Sequence, residues 1–197
     1  MPASAGGSAT LPFRMQSLAR IYEGWDGYQT SLVHAVEPLT REQLAFRTAP
    51  HRRSVGELVR HISFGRITWF RRMPVPGIEE VAARVPQWFT DREGNRHAVE
   101  ESVPADDAKT LVQWLHWSRV PVRRVLSDWT TADLPITYRH RYQGKTYAVS
   151  HQWTVWRIMA HDIHHGGQIA MLLATQGIRT LELGLLGGHL TEPEEVR

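Results

Sequence analysis

The sequence predicts an all-α fold, a four-helix bundle with a long crossover between helices 2 and 3 and a small extended or hairpin arm before helix 4. Three observations support this prediction. Apolar residues recur at three- and four-residue steps in four long stretches, the spacing of one face of an α-helix. Prolines, glycines and polar residues bound each stretch. The connection over residues 74–104 is long, and connections of that length often cross from one end of a bundle to the other.

Length and composition limit the domain organisation. A chain of 197 residues with 42% hydrophobic residues can bury one sizeable core but is short for two domains. We expect a disordered leader over residues 1–10, a single domain over residues 11–190 and a polar tail over residues 191–197. The chain has no cysteine, which excludes disulfides, cysteine-ligated zinc and a catalytic thiol supplied by the protein.

The lack of a recognisable targeting signal and the modest net charge predict a cytoplasmic protein. Residues 1–8 lack the basic start and apolar core of a secretory signal, and no apolar run approaches a membrane span. The formal net charge is +3, but the positive residues are mostly interspersed with acidic ones. Most of the eight tryptophans lie at helical core spacing. The sequence therefore argues against membrane and nucleic-acid partners.

The first two helices have clear boundaries. Helix 1 is predicted from Leu11 to about Glu37, where Pro38 ends it. Ser54 begins helix 2, because Glu57 three residues later completes a Ser-x-x-Glu capping box.

Helices 3 and 4 flank the predicted arm. Asp106 or Asp107 caps helix 3. Residues 136–149 are aromatic and β-branched around a glycine turn, which indicates a two-stranded hairpin or an extended arm. Ser150 caps helix 4, and Gly177 is the glycine that terminates it.

Three histidines in five positions mark helix 4 as the candidate site. On a helix, His161 and His165 lie about 40° apart on one face, so their imidazoles can hold one divalent metal ion. His164 lies about 60° away on the other side of His161, which predicts a solvent-exposed or supporting residue. A site open to water or substrate needs a ligand from elsewhere in the chain, and His61 on helix 2 is the candidate. The alternative interpretation is that these are ordinary core or surface histidines.

Two neighbouring positions also bear on this site. Asp162 falls inside the apolar arc of helix 4, where a carboxylate needs a partner, and Arg66 or Arg157 could supply one. Asp162 could instead orient a histidine, but we favour the structural role. Gly65 lies one turn beyond His61 on the same face, where it either leaves room beside a ligand or allows close helix packing.

Two further features have open interpretations. Glycines inside a helix cost stability, so residues 166–167 predict the close approach of a neighbour or a ligand. Trp88 and Phe89 in the long connection form a lid or pocket wall, or else anchor the loop on the core.

The element order and the histidine motif resemble the DinB-like family of small metalloproteins. That family's helix 4 often reads His-Glu-x-His-His-Arg-Gly-Gln-Ile, and residues 161–169 read His-Asp-Ile-His-His-Gly-Gly-Gln-Ile, departing at Gly166. The resemblance covers residues 11–177. It implies frequent dimerisation and a divalent metal on three histidines, which would be His61, His161 and His165. Zn²⁺ or Ni²⁺ is the expected metal, with iron or manganese as alternatives.

Family members with known activities resemble thiol-dependent S-transferases and a mycothiol-dependent isomerase. Because the protein has no cysteine, a low-molecular-weight thiol is a coherent nucleophile. We expect metal-dependent transfer of such a thiol to a small electrophile by a homodimeric protein. A metal-dependent hydrolase and a non-catalytic metal-binding or stress-response protein are the alternatives, so it is left open whether the protein is an enzyme.

Overall fold

The computed structural model describes residues 17–178, which are mostly helical. The predicted leader, the predicted tail and the start of predicted helix 1 lie outside these residues. The helices are α1 (Glu23–Val36), α2 (Arg41–Ala45), α3 (Val55–Phe70), α4 (Ile78–Ala82), α5 (Ala108–Asp128) and α6 (His151–Thr175). Two small antiparallel sheets are made by β1 (Trp88–Thr90) with β2 (Arg96–Ala98) and by β3 (Thr137–Tyr142) with β4 (Lys145–Ser150). None of the described helices is both long and apolar enough to cross a membrane.

Helix α3 lies at the centre of the fold, where it packs against both α5 and α6. Its start is set by the predicted capping box. The Glu57 backbone N–H donates to the Ser54 hydroxyl at 3.2 Å, and the Ser54 N–H donates to the Glu57 carboxylate at 2.8 Å. The reciprocal pair satisfies backbone groups that a helix end leaves without partners, and His61 follows about two turns later.

The predicted start of helix 3, which is α5, and both predicted ends of helix 4, which is α6, are confirmed. Asp107 rather than Asp106 caps α5, accepting a hydrogen bond from the backbone N–H of Thr110 at 3.0 Å. Ser150 caps α6 in the same way, at 3.1 Å from a first-turn N–H. Gly177 follows the end of α6 with a φ of 67°, the left-handed conformation that glycine adopts readily.

The predicted start of helix 1 is wrong for the described residues, since α1 begins only at Glu23. A 3₁₀ turn over Leu18–Arg20 precedes it. There the Leu18 N–H donates to the carbonyl of Trp129 at 3.0 Å, and Ser17 forms a β-bridge with the chain beyond α5. A backbone held by a distant partner in this way does not continue the helix.

The long connection contains structure that the sequence analysis did not predict. It forms α4, the β1–β2 hairpin and a 3₁₀ turn over Glu100–Ser102. Trp88 packs against a core cluster beside α3 and α5, so anchoring on the core is the correct interpretation for Trp88. Phe89 is exposed and stacks on His97 instead. The connection ends by bringing Glu100 beside α3, where it contacts His61.

The predicted arm before α6 is the β3–β4 hairpin. Its register pairs His140 with Tyr147, and the turn residues Gln143 and Gly144 have φ angles of 50° and 72°. Positive φ at both central residues is typical of the tight turns that join antiparallel strands. The Tyr138 hydroxyl lies 2.9 Å from the hydroxyl of Thr154 and holds the hairpin against α6.

Candidate metal centre

Packing of α3 against α6 brings the three predicted histidines together. His61 comes from α3, and His161 and His165 come from successive turns of α6. The Nε2 atoms of His61 and His161 lie 3.1 Å apart, and the three ring centroids are 4.5–4.7 Å from one another. Each ring offers one nitrogen within 4.8 Å of the others, so the group could hold a metal ion.

The donor set fits a divalent ion. Two nitrogens bound to one tetrahedral zinc lie about 3.4 Å apart, because Zn–N bonds are about 2.0–2.1 Å long. The nitrogens of His61 and His161 are already at about that separation. Burial lowers the pKa of His165 to about 4, which keeps its ring in the neutral form that binds metals. A neutral His165 is therefore available as a metal ligand near neutral pH.

Glu100 is the partner of His61, and no motif in the sequence points to it. One carboxylate oxygen lies 2.6 Å from His61 Nδ1, and the other accepts from Arg53 at 2.9 Å. Burial opposes ionisation, but the hydrogen bond and charge of His61, together with Arg53, hold the pKa of Glu100 below its usual range. An ionised carboxylate favours a proton on Nδ1 and leaves Nε2 free as a ligand atom.

The other two rings have polar neighbours at Nδ1 as well. Gln168 Oε1 lies 2.8 Å from His165 Nδ1. His161 Nδ1 lies 3.7 Å from Asp162 Oδ1, and both atoms are buried without a hydrogen-bond partner among the described residues. Partners at this position set the tautomer and orientation of metal-binding histidines.

Asp162 has the structural partner that the sequence analysis offered first. Its side chain is fully buried and accepts from Arg66 Nε at 2.8 Å and from Trp25 Nε1 at 2.9 Å. Arg66 also donates to Gln29 Oε1 at 2.6 Å. Burial alone would raise the pKa of Asp162, but the Arg66 guanidinium reverses that effect and lowers it. The alternative partner Arg157 makes cation–π contacts elsewhere.

Gly65 makes room for a candidate ligand. A Cβ at this position would lie only 2.8 Å from Cε1 of His161, closer than real Cβ contacts allow. The close approach expected at the glycines of α6 is wrong for Gly167, since a Cβ there would meet no described atom within 4 Å.

His164 lies outside the cluster, as predicted. It is exposed, and its Nε2 lies 3.3 Å from the side-chain nitrogen of Gln168. His164 borders the centre through Gln168, which also contacts His165, and through its own ring, whose centroid lies 4.9 Å from that of His165.

A cavity of about 440 Å³ adjoins the cluster at His165. Its wall also includes Gln168 and the positively charged Arg52 and Arg53. Arg53 is paired with Glu100, whereas Arg52 has no carboxylate partner within residues 17–178. The centre thus borders a space large enough for a small molecule, with positive charge at its edge.

Comparison with known proteins places this fold and motif. The family model of the DinB superfamily matches residues 25–169. A crystal structure of a DinB-like protein from Bacillus cereus is similar, with a TM-score of 0.56 and 19% sequence identity over 84% of this chain and 97% of that chain. At this identity the likeness shows the fold alone. No curated protein matches the chain significantly.

Proposed function

The chain belongs to the DinB superfamily, and on that premise we propose that it is a metal-dependent transferase that joins a low-molecular-weight thiol to a small electrophile. The observation that carries the proposal is the convergence of His61, His161 and His165, each with a polar neighbour at Nδ1. A metal site requires ring nitrogens directed at one point, whereas histidines that only fill the core do not require this arrangement.

The three histidines would hold one divalent ion, Zn²⁺ or Ni²⁺, with iron or manganese as alternatives. When bound, such an ion supplies the positive charge and Lewis acidity that ionise a thiol or a water near neutral pH. Glu100 and Gln168 orient the rings of His61 and His165. These contacts keep the nitrogens in place, so little reorganisation is needed on binding.

The cavity beside His165 is the proposed thiol site. Arg52 and Arg53 give it positive charge, and arginine forks bind carboxylates well. This favours a thiol that carries a carboxylate, as glutathione and bacillithiol do. The absence of cysteine from the protein means that the sulfur must come from such a substrate.

The scaffold proposed for this centre is a four-helix bundle of α1, α3, α5 and α6, supported by apolar clusters that these helices share. We also propose a homodimer. Exposed Trp156, Ile163 and Met171 recur along α6 with Gly167 between the last two, at steps of seven, four and four residues, the spacing of a helix–helix contact. Sedimentation of wild type and Met171→Glu at micromolar concentration tests this face, and a monomeric wild type would contradict it.

Thiol consumption tests the proposed reaction. Metal-loaded protein is mixed with 1-chloro-2,4-dinitrobenzene and, in separate runs, glutathione, bacillithiol or mycothiol. We expect at least one thiol to be consumed faster than without protein, with a rate that rises with pH as the thiol ionises. His61→Ala should remove the acceleration, while His164→Ala should retain it.

Failure of the reaction would redirect the proposal. If no thiol is consumed faster with wild type than with His61→Ala, the transferase function is wrong. Release of nitrophenol from a nitrophenyl ester that depends on His61 would then support the hydrolase. A metal-binding protein inactive in both assays would be non-catalytic, with a metal-binding or stress-response role.

A further inference from the structure

A second cavity, of about 520 Å³, lies between the β3–β4 hairpin and helices α3 and α6. The histidine cluster contributes no residue to its wall. Its wall is aromatic, with Trp69 from α3, Trp153 from α6 and Tyr142 and Tyr147 from the hairpin. Cavities of this size with mainly apolar walls and a few polar groups are typical of small-molecule sites.

The hairpin turns an aromatic face towards the helices without closing on them. Tyr138 and His140 alternate along β3, and both contact helices, which identifies their face as the inner one. Tyr142 continues this face, and Tyr147 joins it as the cross-strand partner of His140. Yet Tyr142 and Tyr147 remain 55% and 44% exposed. Flat rings are therefore presented to an open space in which another planar group could stack.

Positive charge borders this aromatic space. The guanidinium groups of Arg72 and Arg157 lie over the Trp69 ring, 4.0 and 4.7 Å from its centroid, and Arg157 also lies 5.1 Å from the centroid of Trp153. Among the described residues, neither arginine has a carboxylate partner. Arg72 Nη1 lies 3.4 Å from His140 Nδ1. Stacking on tryptophan holds each guanidinium in place and leaves its remaining N–H groups available to an anion.

A smaller cavity of about 220 Å³ shares His140 with the aromatic one and is strongly basic. Four arginines line it: Arg71, Arg72, Arg96 and Arg139. Within residues 17–178, Arg71 alone of these has a carboxylate partner, Glu79. Together the two cavities form one groove, which is aromatic at one end and basic at the other.

We propose that this groove binds a planar aromatic carboxylate, with its ring against Trp153 and Tyr147 and its carboxylate on Arg157 and Arg72. Aromatic walls alone would accept any flat apolar molecule, and it is the unpaired arginines that select an anion. Trp69 lies two turns along α3 from His61, about 12 Å at the rise of an α-helix. Arg157 lies one turn from His161 on α6, but none of the three histidines lines the groove. We therefore expect binding in the groove without metal.

Calorimetry with three probes tests the proposal on wild-type protein treated with a chelator and on His61→Ala. The probes are 1-naphthoate, the neutral 1-naphthamide and acetate. We expect one saturable naphthoate site per chain in both proteins, with naphthamide and acetate at least tenfold weaker. Because naphthoate should bind without metal and without His61, the outcome of this test does not depend on whether the thiol reaction occurs.

Variants assign the site to the groove. Arg157→Gln and Tyr147→Ala should each weaken naphthoate binding about tenfold or more, since each removes one of the two recognition elements. Arg123→Gln is the matched control, because it removes the same charge from an exposed arginine on α5 outside the groove, and it should bind normally. The proposal is overturned if naphthoate does not saturate, if naphthamide binds equally well, or if both groove variants bind like Arg123→Gln.

Discussion

His161 and Asp162 are neighbours on α6, yet they belong to polar clusters of opposite kinds. Asp162 and Arg66 form a closed cluster in which both side chains are fully buried and opposite charges compensate each other. His61 and His161 belong to an open cluster, with side chains 22% and 17% exposed and nitrogens directed at each other. The closed cluster pairs its opposite charges within the fold, whereas the open one brings three imidazoles together at a point where they could hold a metal ion. We therefore expect the closed cluster to support folding and the open one to support metal binding.

Removing one of the three histidines should have the largest effect of any substitution in the open cluster, the loss of tight metal binding. We expect wild type to bind about one divalent ion per chain, because three histidines supply one site. His61→Ala, His161→Ala or His165→Ala should each abolish tight binding, as measured by calorimetry and elemental analysis. His164→Ala is the matched control and should bind normally. The assignment fails if His164→Ala empties the site while His165→Ala leaves it filled.

Asp162→Ala should have the largest effect on the closed cluster. It leaves the Arg66 guanidinium buried without a counter-charge, which lowers the free energy of unfolding by about 3–5 kcal/mol. Urea denaturation of metal-free protein measures the loss, and metal-free His61→Ala should lose far less. The double variant Arg66→Met/Asp162→Leu should recover much of the stability, because it removes both charges together. A loss below about 1 kcal/mol for Asp162→Ala would contradict the role given to this pair.

Glu100→Gln tests whether a residue at the edge of the open cluster supports metal binding. The amide keeps the size of the side chain but removes the charge that favours a proton on His61 Nδ1. We expect metal affinity to fall about 10–100-fold, the usual range for such supporting residues. Glu101→Gln, the adjacent exposed carboxylate, is the control. Equal affinities for the two variants would show that Glu100 does not support the centre.

Acid should affect the two clusters in different pH ranges. The pKa of His165 falls to about 4 on folding, below its usual value of about 6.5, so between these values the unfolded chain binds a proton that the folded one does not. The stability of metal-free protein should therefore fall as pH decreases from 6.5 to 4, and His165→Gln should reduce that slope. Asp162 also has a lowered pKa, so its contribution is lost only as pH falls below the carboxylate's ordinary value near 3.9. Denaturation midpoints across pH 3–8 would show the two ranges, and an unchanged slope in His165→Gln would contradict the first.

Local signals account for what the sequence predicted well. The caps at Ser54 and Ser150 depend on residues three positions away, and His161 and His165 meet because a helix repeats on itself. His61 could be paired with them only as a candidate, through its place on another core helix. The contact between Glu100 and His61 joins residues 39 positions apart. The intervening connection has no periodic pattern from which its folding could be predicted. The start of α1 was missed for a similar reason, since it depends on a backbone bond to Trp129.

Gly65 shows how this fold limits its own improvement. Alanine in the middle of a helix is about 1 kcal/mol more favourable than glycine, so helix propensity alone favours Gly65→Ala. The added methyl would lie 2.8 Å from His161 and displace it from the other two histidines. A more heat-resistant chain obtained in this way would be a poorer metal binder. At position 65, helix stability and metal binding therefore favour different residues.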